Sequence, residues 1–419
     1  MKSIYITLFK YGTPIFCIGV ILFLIAFGSN SQELEIESRV EEEPKIEVVE
    51  VPTIYDQFGD VFYAEFIRSK CPGAAIAIIK DTSVVFIAGL GVLSSSTSDS
   101  VDLETVFRLG SVPKGFTGVL TGKLIDKGYF DWDTKIQKHL PSFTLKDSAQ
   151  AARMEVRHLL SHTTGLIRHA YTNLIEDGLP ISRITPMLKN VDLISKEGQM
   201  MSYQNAAFSI IEAFIESATK KDFNQLLKEE IFIPAHMNSA SSTRSDFNET
   251  KNKSMPHRWS SKNQKYYKSK HNNKYYNATS AGGINASISD MANWLHVIMG
   301  NKPEVITTNA LESVFSTEIK TTRNRKYFNK WPGVTNSYYA KGWRKIEMNE
   351  RQLMYHGGYV NQFRSEIAFD PINKLGICVL FNAPVRYSSK VVPAFYHFCD
   401  SIKTASVAPQ FTATLDSIP

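Results

Sequence analysis

Ser111 and Lys114 stand three residues apart in the stretch Phe107-Arg108-Leu109-Gly110-Ser111-Val112-Pro113-Lys114. Positions i and i+3 of a helix share a face, so the serine hydroxyl and the lysine amine can meet. A serine hydroxyl is a weak nucleophile until a neighbouring base takes its proton. Lysine acts as that base only when desolvation or a nearby cation lowers its pKa. The same spacing recurs at Ser217 and Lys220, so spacing alone decides nothing. Pro113 suits a first helical turn, which puts Ser111 at a predicted helix start, where unpaired amides favour developing negative charge. Ser217 falls late in a helical pattern that begins at Ala206, where the amides are already bonded. The bland reading of Ser111 is a helix N-cap.

Two other constellations could join it. Tyr203-Gln204-Asn205 offers a phenol that becomes a base when an ammonium lies beside it. Tyr171, Tyr275, Tyr327 and Tyr359 also precede an asparagine by two positions, so this pattern is weak alone and fits an ordinary half-buried aromatic. His356-Gly357-Gly358 ends a predicted strand, and glycines there let a substrate approach the backbone. Taken alone it reads as a turn with a solvated histidine.

The elements that must position these residues follow from hydrophobic period. Tyr55, Phe58, Phe62, Phe66 and Ile67 repeat at helical spacing. Ala74–Ile79 and Ser83–Gly89, split by Lys80-Asp81-Thr82, predict a β-hairpin. A helix follows the serine, with Phe116, Val119, Leu120, Leu124 and Ile125 on its apolar face and its end at Lys127-Gly128. From Trp132 to about Ile231 the pattern stays helical, interrupted by the turn Leu159–Leu166. Residues 244–279 show no period and read as a long surface loop. Ser287–Met299 predicts a helix capped by Ser287 or Ser289. Ala340–Ile346, Gln352–Tyr355, Phe363–Phe369 and Leu375–Phe381 predict successive strands, and Lys390–Ile402 a last helix. Strands at both ends with helices between imply an α+β fold: an antiparallel sheet built from both chain ends, with an inserted all-helical lobe. The boundaries are 53–112 and 280–402 for the sheet lobe, 113–279 for the helical lobe and 403–419 for a tail.

Composition bounds the rest. A chain of 419 residues exceeds what one core usually serves, and 43% hydrophobic with 21% charged residues excludes general disorder. The net charge of +6 is modest. The basic stretch 251–279, with eight Lys or Arg and no acid, is too confined to argue for nucleic acid. Residues 1–28 read as a targeting segment, a cleaved signal peptide or an uncleaved membrane anchor, because the apolar run Ile15–Phe27 has thirteen residues and a span needs about 20. Residues 29–52 carry eight glutamates and read as an acidic linker. Whether cleaved or kept as an anchor, the targeting segment implies that the folded part lies outside the cytoplasm. Beyond Cys17, the cysteines are Cys71, Cys378 and Cys399, which allow one disulfide at most, with buried free thiols the simpler expectation.

The order of the motifs resembles the penicillin-recognising serine hydrolases of the class C β-lactamase-like kind, a family that includes D,D-carboxypeptidases, D-amino-acid peptidases and esterases. The octet resembles its Ser-x-x-Lys motif, Tyr203-Gln204-Asn205 its Tyr-x-Asn, and His356-Gly357-Gly358 its Lys-Thr-Gly or His-x-Gly. Leu159–Leu166, Ser280-Ala281-Gly282-Gly283, Ser287-x-x-Asp290, Gly342-Trp343 and the run from His356 through Phe363-Arg364-Ser365 to Asp370-Pro371 resemble supporting signatures, over about 55–400. The resemblance implies that Ser111 forms an acyl-enzyme while Lys114 and Tyr203 move its proton. Asn205 would bind the substrate amide or hold Lys114. His356, with Gly357 and Gly358, would face the substrate, supplying the cation that orients its carboxylate. The backbone amides of Ser111 and Tyr359 would form the oxyanion hole. His162 would hold its turn rather than transfer protons. No metal or organic cofactor is implied, and the partner is a small-molecule or peptide substrate. Histidine at 356 is mostly neutral at pH 7, which favours a peptidase or esterase over an efficient β-lactamase. The alternative is a non-enzymatic recognition or sensor domain on the same fold.

Overall fold

The computed structural model describes residues 52–321, 328 and 331–407. The Ile15–Phe27 run, the acidic stretch, Cys17, Tyr327 and the last twelve residues lie outside them. The chain divides at Glu50/Val51 into two units, and the described fold belongs to the second. No helix among the described residues is long and apolar enough to cross a membrane.

The described fold begins with the helix Ile54–Ser69, started by a reciprocal cap in which Thr53 and Asp56 satisfy each other's backbone amides. Phe58, Phe62 and Phe66 recur every four residues and form its buried face. Ile67 lies off that face and is 55% exposed.

An eight-stranded antiparallel sheet carries the fold. Its strands are β1 (Gly73–Lys80), β2 (Ser83–Gly91), β7 (Ile319–Lys320), β8 (Val334–Tyr339), β9 (Arg344–Met348), β10 (Arg351–Val360), β11 (Phe363–Asp370) and β12 (Leu375–Phe381), in the order β2-β1-β12-β11-β10-β9-β8-β7. The intervening strands form two short pairs: β3 (Phe107–Arg108) with β6 (Asn285–Ala286), and β4 (His257–Ser260) with β5 (Lys265–Lys268). The chain ends meet at β1 and β12, paired from Ala74↔Phe381 to Lys80↔Leu375.

Side-chain alternation gives this sheet two buried faces. Ala74, Ile76 and Ile78 join Phe58, Phe62, Phe395 and Val379 in one core, under the first helix and the last, Val391–Val407. Ala75, Ala77 and Ile79 point the other way, into a larger core shared with the helix Ile288–Ile298 and the helical region around Phe214. That second core is continuous from the sheet into the helices.

Several boundaries differ from expectation. The strand expected at Ala340–Ile346 is a loop followed by β9, because Gly342 turns the chain with φ of +80° between β8 and β9. His356-Gly357-Gly358 lies inside β10 rather than at its end, paired with Ile367, Glu366 and Ser365. The middle of the chain is not wholly helical. The β4–β5 hairpin occupies the stretch read as loop, pairing Trp259 with Tyr266. Cys71, Cys378 and Cys399 are buried free thiols.

Candidate active site

The octet is held from two sides. β3 pairs with β6, Leu109 N–H donates to Ile284 O at 3.1 Å, and Ser365 Oγ donates to Leu109 O at 2.5 Å. Gly358 lets β10 come this close, since a Cβ there would lie 2.0 Å from Leu109 O. Gly110, at φ +60°, turns the chain toward Ser111, and a Cβ on it would lie 2.4 Å from the Tyr359 nitrogen. The Tyr359 amide therefore lies against the residue that precedes the serine.

Ser111 is not a helix cap. The helix starts at Pro113, the capping position belongs to Val112, and no side chain caps it. Ser111 is partly exposed, whereas Lys114 is fully buried. Lys114 Nζ lies 3.4 Å from Ser111 Oγ and donates to Ala281 O at 2.7 Å. It also sits 5.0 Å from the centre of the Tyr203 ring and 5.4 Å from that of Phe208. Burial, and secondarily the Arg344 guanidinium, holds the amine's pKa well below its ordinary range. The second serine–lysine pair has no such setting: Ser217 Oγ donates to His139 O, and Lys220 is the exposed left-handed end of its helix.

The Leu159–Leu166 turn positions the tyrosine. His162 takes φ of +59°, its carbonyl accepts from Ser202 N–H at 2.8 Å, and its Nδ1 accepts from Gln204 N–H at 3.2 Å. Its ring lies 4.2 Å from that of Tyr203, centre to centre. Burial, with Lys114, Arg344 and His356 nearby, holds His162 neutral. Asn205 opens the helix Asn205–Thr219, donates from Nδ2 to Tyr275 Oη at 2.9 Å, and leaves Oδ1 buried with no partner.

His356 is sealed from solvent. It is 1% exposed, with Nε2 at 3.1 Å from Tyr339 Oη and Nδ1 at 3.0 Å from Gly357 O. Burial, then the charges of Arg344 and Lys114, keep its pKa well below the usual imidazole value. The cation beside these groups is Arg344, whose guanidinium carbon lies 5.7 Å from the Tyr203 ring centre and 5.4 Å from that of Tyr339. Its position was legible only as the residue after Gly342-Trp343, a signature that carries no charge. Two other contributors gave no local signal. Glu212 accepts from the Ser280 amide at 2.7 Å and its hydroxyl at 2.5 Å, steadying the turn whose Ala281 carbonyl holds Lys114, while burial pushes its carboxyl up to about 7. Tyr275 comes from the aperiodic stretch.

The Beta-lactamase family model matches residues 51–396. The chain belongs to the beta-lactamase family. It is 26% identical over 364 residues to "Unguisins hydrolase ungD'" of Aspergillus campestris, covering 84% of this chain and 66% of that protein. It is 24% identical over 344 residues to "Protein flp" of Staphylococcus aureus, covering 80% and 64%. The chain thus spans just under two thirds of the length of these relatives. Among solved structures it is similar to the octameric penicillin-binding protein homologue of Pyrococcus abyssi, with a TM-score of 0.72, 21% identity and coverage of 83% and 77%. It is also similar to SurE, with a TM-score of 0.68, 17% identity and coverage of 83% and 76%. These two likenesses concern the fold: the mixed architecture with a large antiparallel sheet is the beta-lactamase and penicillin-binding-protein fold.

Proposed function

We propose that the protein is an extracytoplasmic serine hydrolase that works through an acyl-enzyme on Ser111, cleaving an amide or ester such as a D-amino-acid peptide or small ester, and β-lactams only weakly. The observation that carries this reading is Lys114: a fully buried amine, 3.4 Å from a partly exposed serine hydroxyl, with its pKa held low. A neutral Nζ can take the Ser111 proton as Oγ attacks the carbonyl carbon. Charge then develops on the carbonyl oxygen, where the Ser111 and Tyr359 amides are the candidate donors. Collapse expels the leaving group, which receives its proton from Lys114 or Tyr203, and water then cleaves the acyl-serine bond by the same route in reverse. Neutral His356 favours peptidase or esterase chemistry over efficient β-lactam hydrolysis. The extracytoplasmic setting rests on the N-terminal apolar run.

The test is covalent labelling with a fluorophosphonate and a fluorescent penicillin, followed by mass mapping of the modified residue. Label on Ser111, lost in Ser111→Ala and strongly slowed in Lys114→Met, is expected. Absence of Ser111-dependent labelling by either reagent overturns the reading.

A further inference from the structure

The β4–β5 hairpin is fastened to the body of the protein by one face. His257 N–H donates to Asn382 O at 2.9 Å, and His257 Nε2 accepts from the Ser95 amide at 2.9 Å. Trp259 and Tyr266 meet edge to face at 4.9 Å, and Tyr266 packs against the core beneath the first helix. Strand alternation then turns the other face outward, with Arg258 opposite Tyr267 and Ser260 opposite Lys265. Tyr267 is 38% exposed, and Lys265 Nζ lies 5.0 Å from its ring centre.

Lys262 in the turn, Lys268 at the end of β5 and Lys270 just after it are exposed as well. Lys70, which ends the first helix, reaches this turn and donates to Gln264 O at 3.5 Å. Residues 251–279 contain no acid, and none of these cations forms an ion pair among the described residues. Lysine on an open strand edge commonly guards against pairing with another chain. That role does not explain like charges gathered on a face around an exposed tyrosine, where they repel one another until an anion meets them. Apolar surface adjoins them: Ile67 lies three residues before Lys70 and is 55% exposed, and Tyr63, one turn earlier, is 41% exposed. A cluster of about four to eight Lys or Arg suits anionic lipid headgroups. Aromatic and aliphatic side chains beside the cations suit the interfacial layer of a bilayer better than a soluble polyanion.

We infer that the outer face of the β4–β5 hairpin, together with Ile67 and Lys70 at the end of the first helix, docks onto a bilayer surface rich in anionic lipid. The cations meet headgroup phosphates, and Tyr267 and Ile67 enter at headgroup level. Charge attraction of this kind is screened over about 10 Å at 0.1 M salt, so the contact is peripheral and reversible. One end of the surface borders the site: Asn361, two residues after Tyr359 in the β10–β11 turn, donates from Nδ2 to Lys270 O at 3.2 Å. The inference does not depend on the chemistry at Ser111.

The experiment is co-sedimentation of the full chain with vesicles of phosphatidylcholine alone and of phosphatidylcholine mixed equally with phosphatidylglycerol. The ratio of the two affinities cancels any insertion of the N-terminal apolar run into neutral lipid. That ratio is expected to exceed about tenfold at low salt and to approach one at high salt. Arg258→Glu, Lys262→Glu and Lys265→Glu combined should weaken binding to the mixed vesicles by about a hundredfold or more. Replacing the same three residues by Gln should act in the same sense, and keeps the test open if the reversal lowers the melting temperature. Tyr267→Ser should weaken binding by a smaller factor that salt does not change. As a control, Lys138→Glu, Lys189→Glu and Lys228→Glu make the same change of net charge at exposed positions of the helical region, and should cost less than about threefold. Three results overturn the inference: a wild-type ratio near one, an equal loss in the control variant, or soluble polyphosphate outcompeting the vesicles at equal phosphate concentration, which would assign the face to a polyanion.

Discussion

At the scale of single residues the site runs on desolvation. Lys114 has no acidic partner at hydrogen-bonding distance among the described residues. Its amine meets Ala281 O and Ser111 Oγ, and Arg344 adds a repelling charge. Burial and the Arg344 charge favour the neutral amine, the form a base requires. Replacing Lys114 by Met is expected to lower kcat/KM by about 10²–10⁴-fold, the usual share of a general base, with folding intact by circular dichroism. Arg344→Gln removes the repelling charge, so the Lys114 pKa rises and the acid limb of the kcat/KM profile moves to higher pH. A limb that stays in place or moves the other way would show that a different group titrates. His356 makes the opposite point. Its charged form is penalised first by burial and then by the Arg344 charge, so its imidazole NMR signals should not titrate in the usual imidazole range. Titration within that range would restore the role of substrate cation that its buried position denies it.

At the scale of elements, close backbone approaches decide the geometry. β10 reaches the octet only because Gly358 has no side chain to strike Leu109 O, and Gly342 passes where a Cβ would lie 2.1 Å from Lys114 O. Gly358→Ala must push β10 and the octet apart. The serine and the Tyr359 amide sit on the two sides of that contact, and a displacement near 1 Å can cost about 10²-fold in rate. The expected outcome is a loss of that order in kcat/KM with a small fall in melting temperature; near wild-type activity would mean the two strands tolerate the wider gap. The helix after the serine was readable from its period and Pro113, as were β1, β2, β11 and β12 from theirs. The break between β8 and β9 was not, because an apolar run through Ala340 and Trp343 looks like a strand until Gly342 is seen to take a positive φ. The β4–β5 hairpin was missed for a related reason. His257 and Trp259 alternate with Arg258 and Ser260 in β4, but β5 reads Lys-Tyr-Tyr-Lys, and four residues on each side are too few to show a period.

Across the whole molecule, one sheet separates two cores, and the site belongs to only one of them. Phe58 packs against Phe395 at 5.0 Å and Phe398 at 5.6 Å on the face away from Ser111. Phe58→Ala should cost about 3–5 kcal/mol in denaturant unfolding, while kcat/KM below the transition stays near the wild-type value. A comparable loss of activity would show that the two faces are coupled. Glu366, 1% exposed between Tyr355 Oη at 2.7 Å and Arg364 Nη2 at 3.2 Å, is pushed up to about 7 by burial. Between its unfolded value of about 4.3 and that folded value, the folded chain binds more protons than the unfolded one, so this group's contribution to stability falls as pH rises. The stability of Glu366→Gln relative to wild type should therefore climb from pH 5 to pH 8, and a flat difference would place the titration elsewhere.

By itself the sequence determined the fold class, the order of the motifs, and the pairing of Ser111 with Lys114 at a helix start. These depend on local period, on proline and glycine chemistry, and on spacing within a turn. Only the tertiary structure decided that Lys114 is dry, that His356 is sealed against Tyr339, that Arg344 is the nearby cation, and that Tyr275 reaches Asn205. The physical reason is distance along the chain. Tyr339 and His356 are 17 positions apart, Asn205 and Tyr275 70, and no local pattern records which residues the fold will bring within a few ångströms.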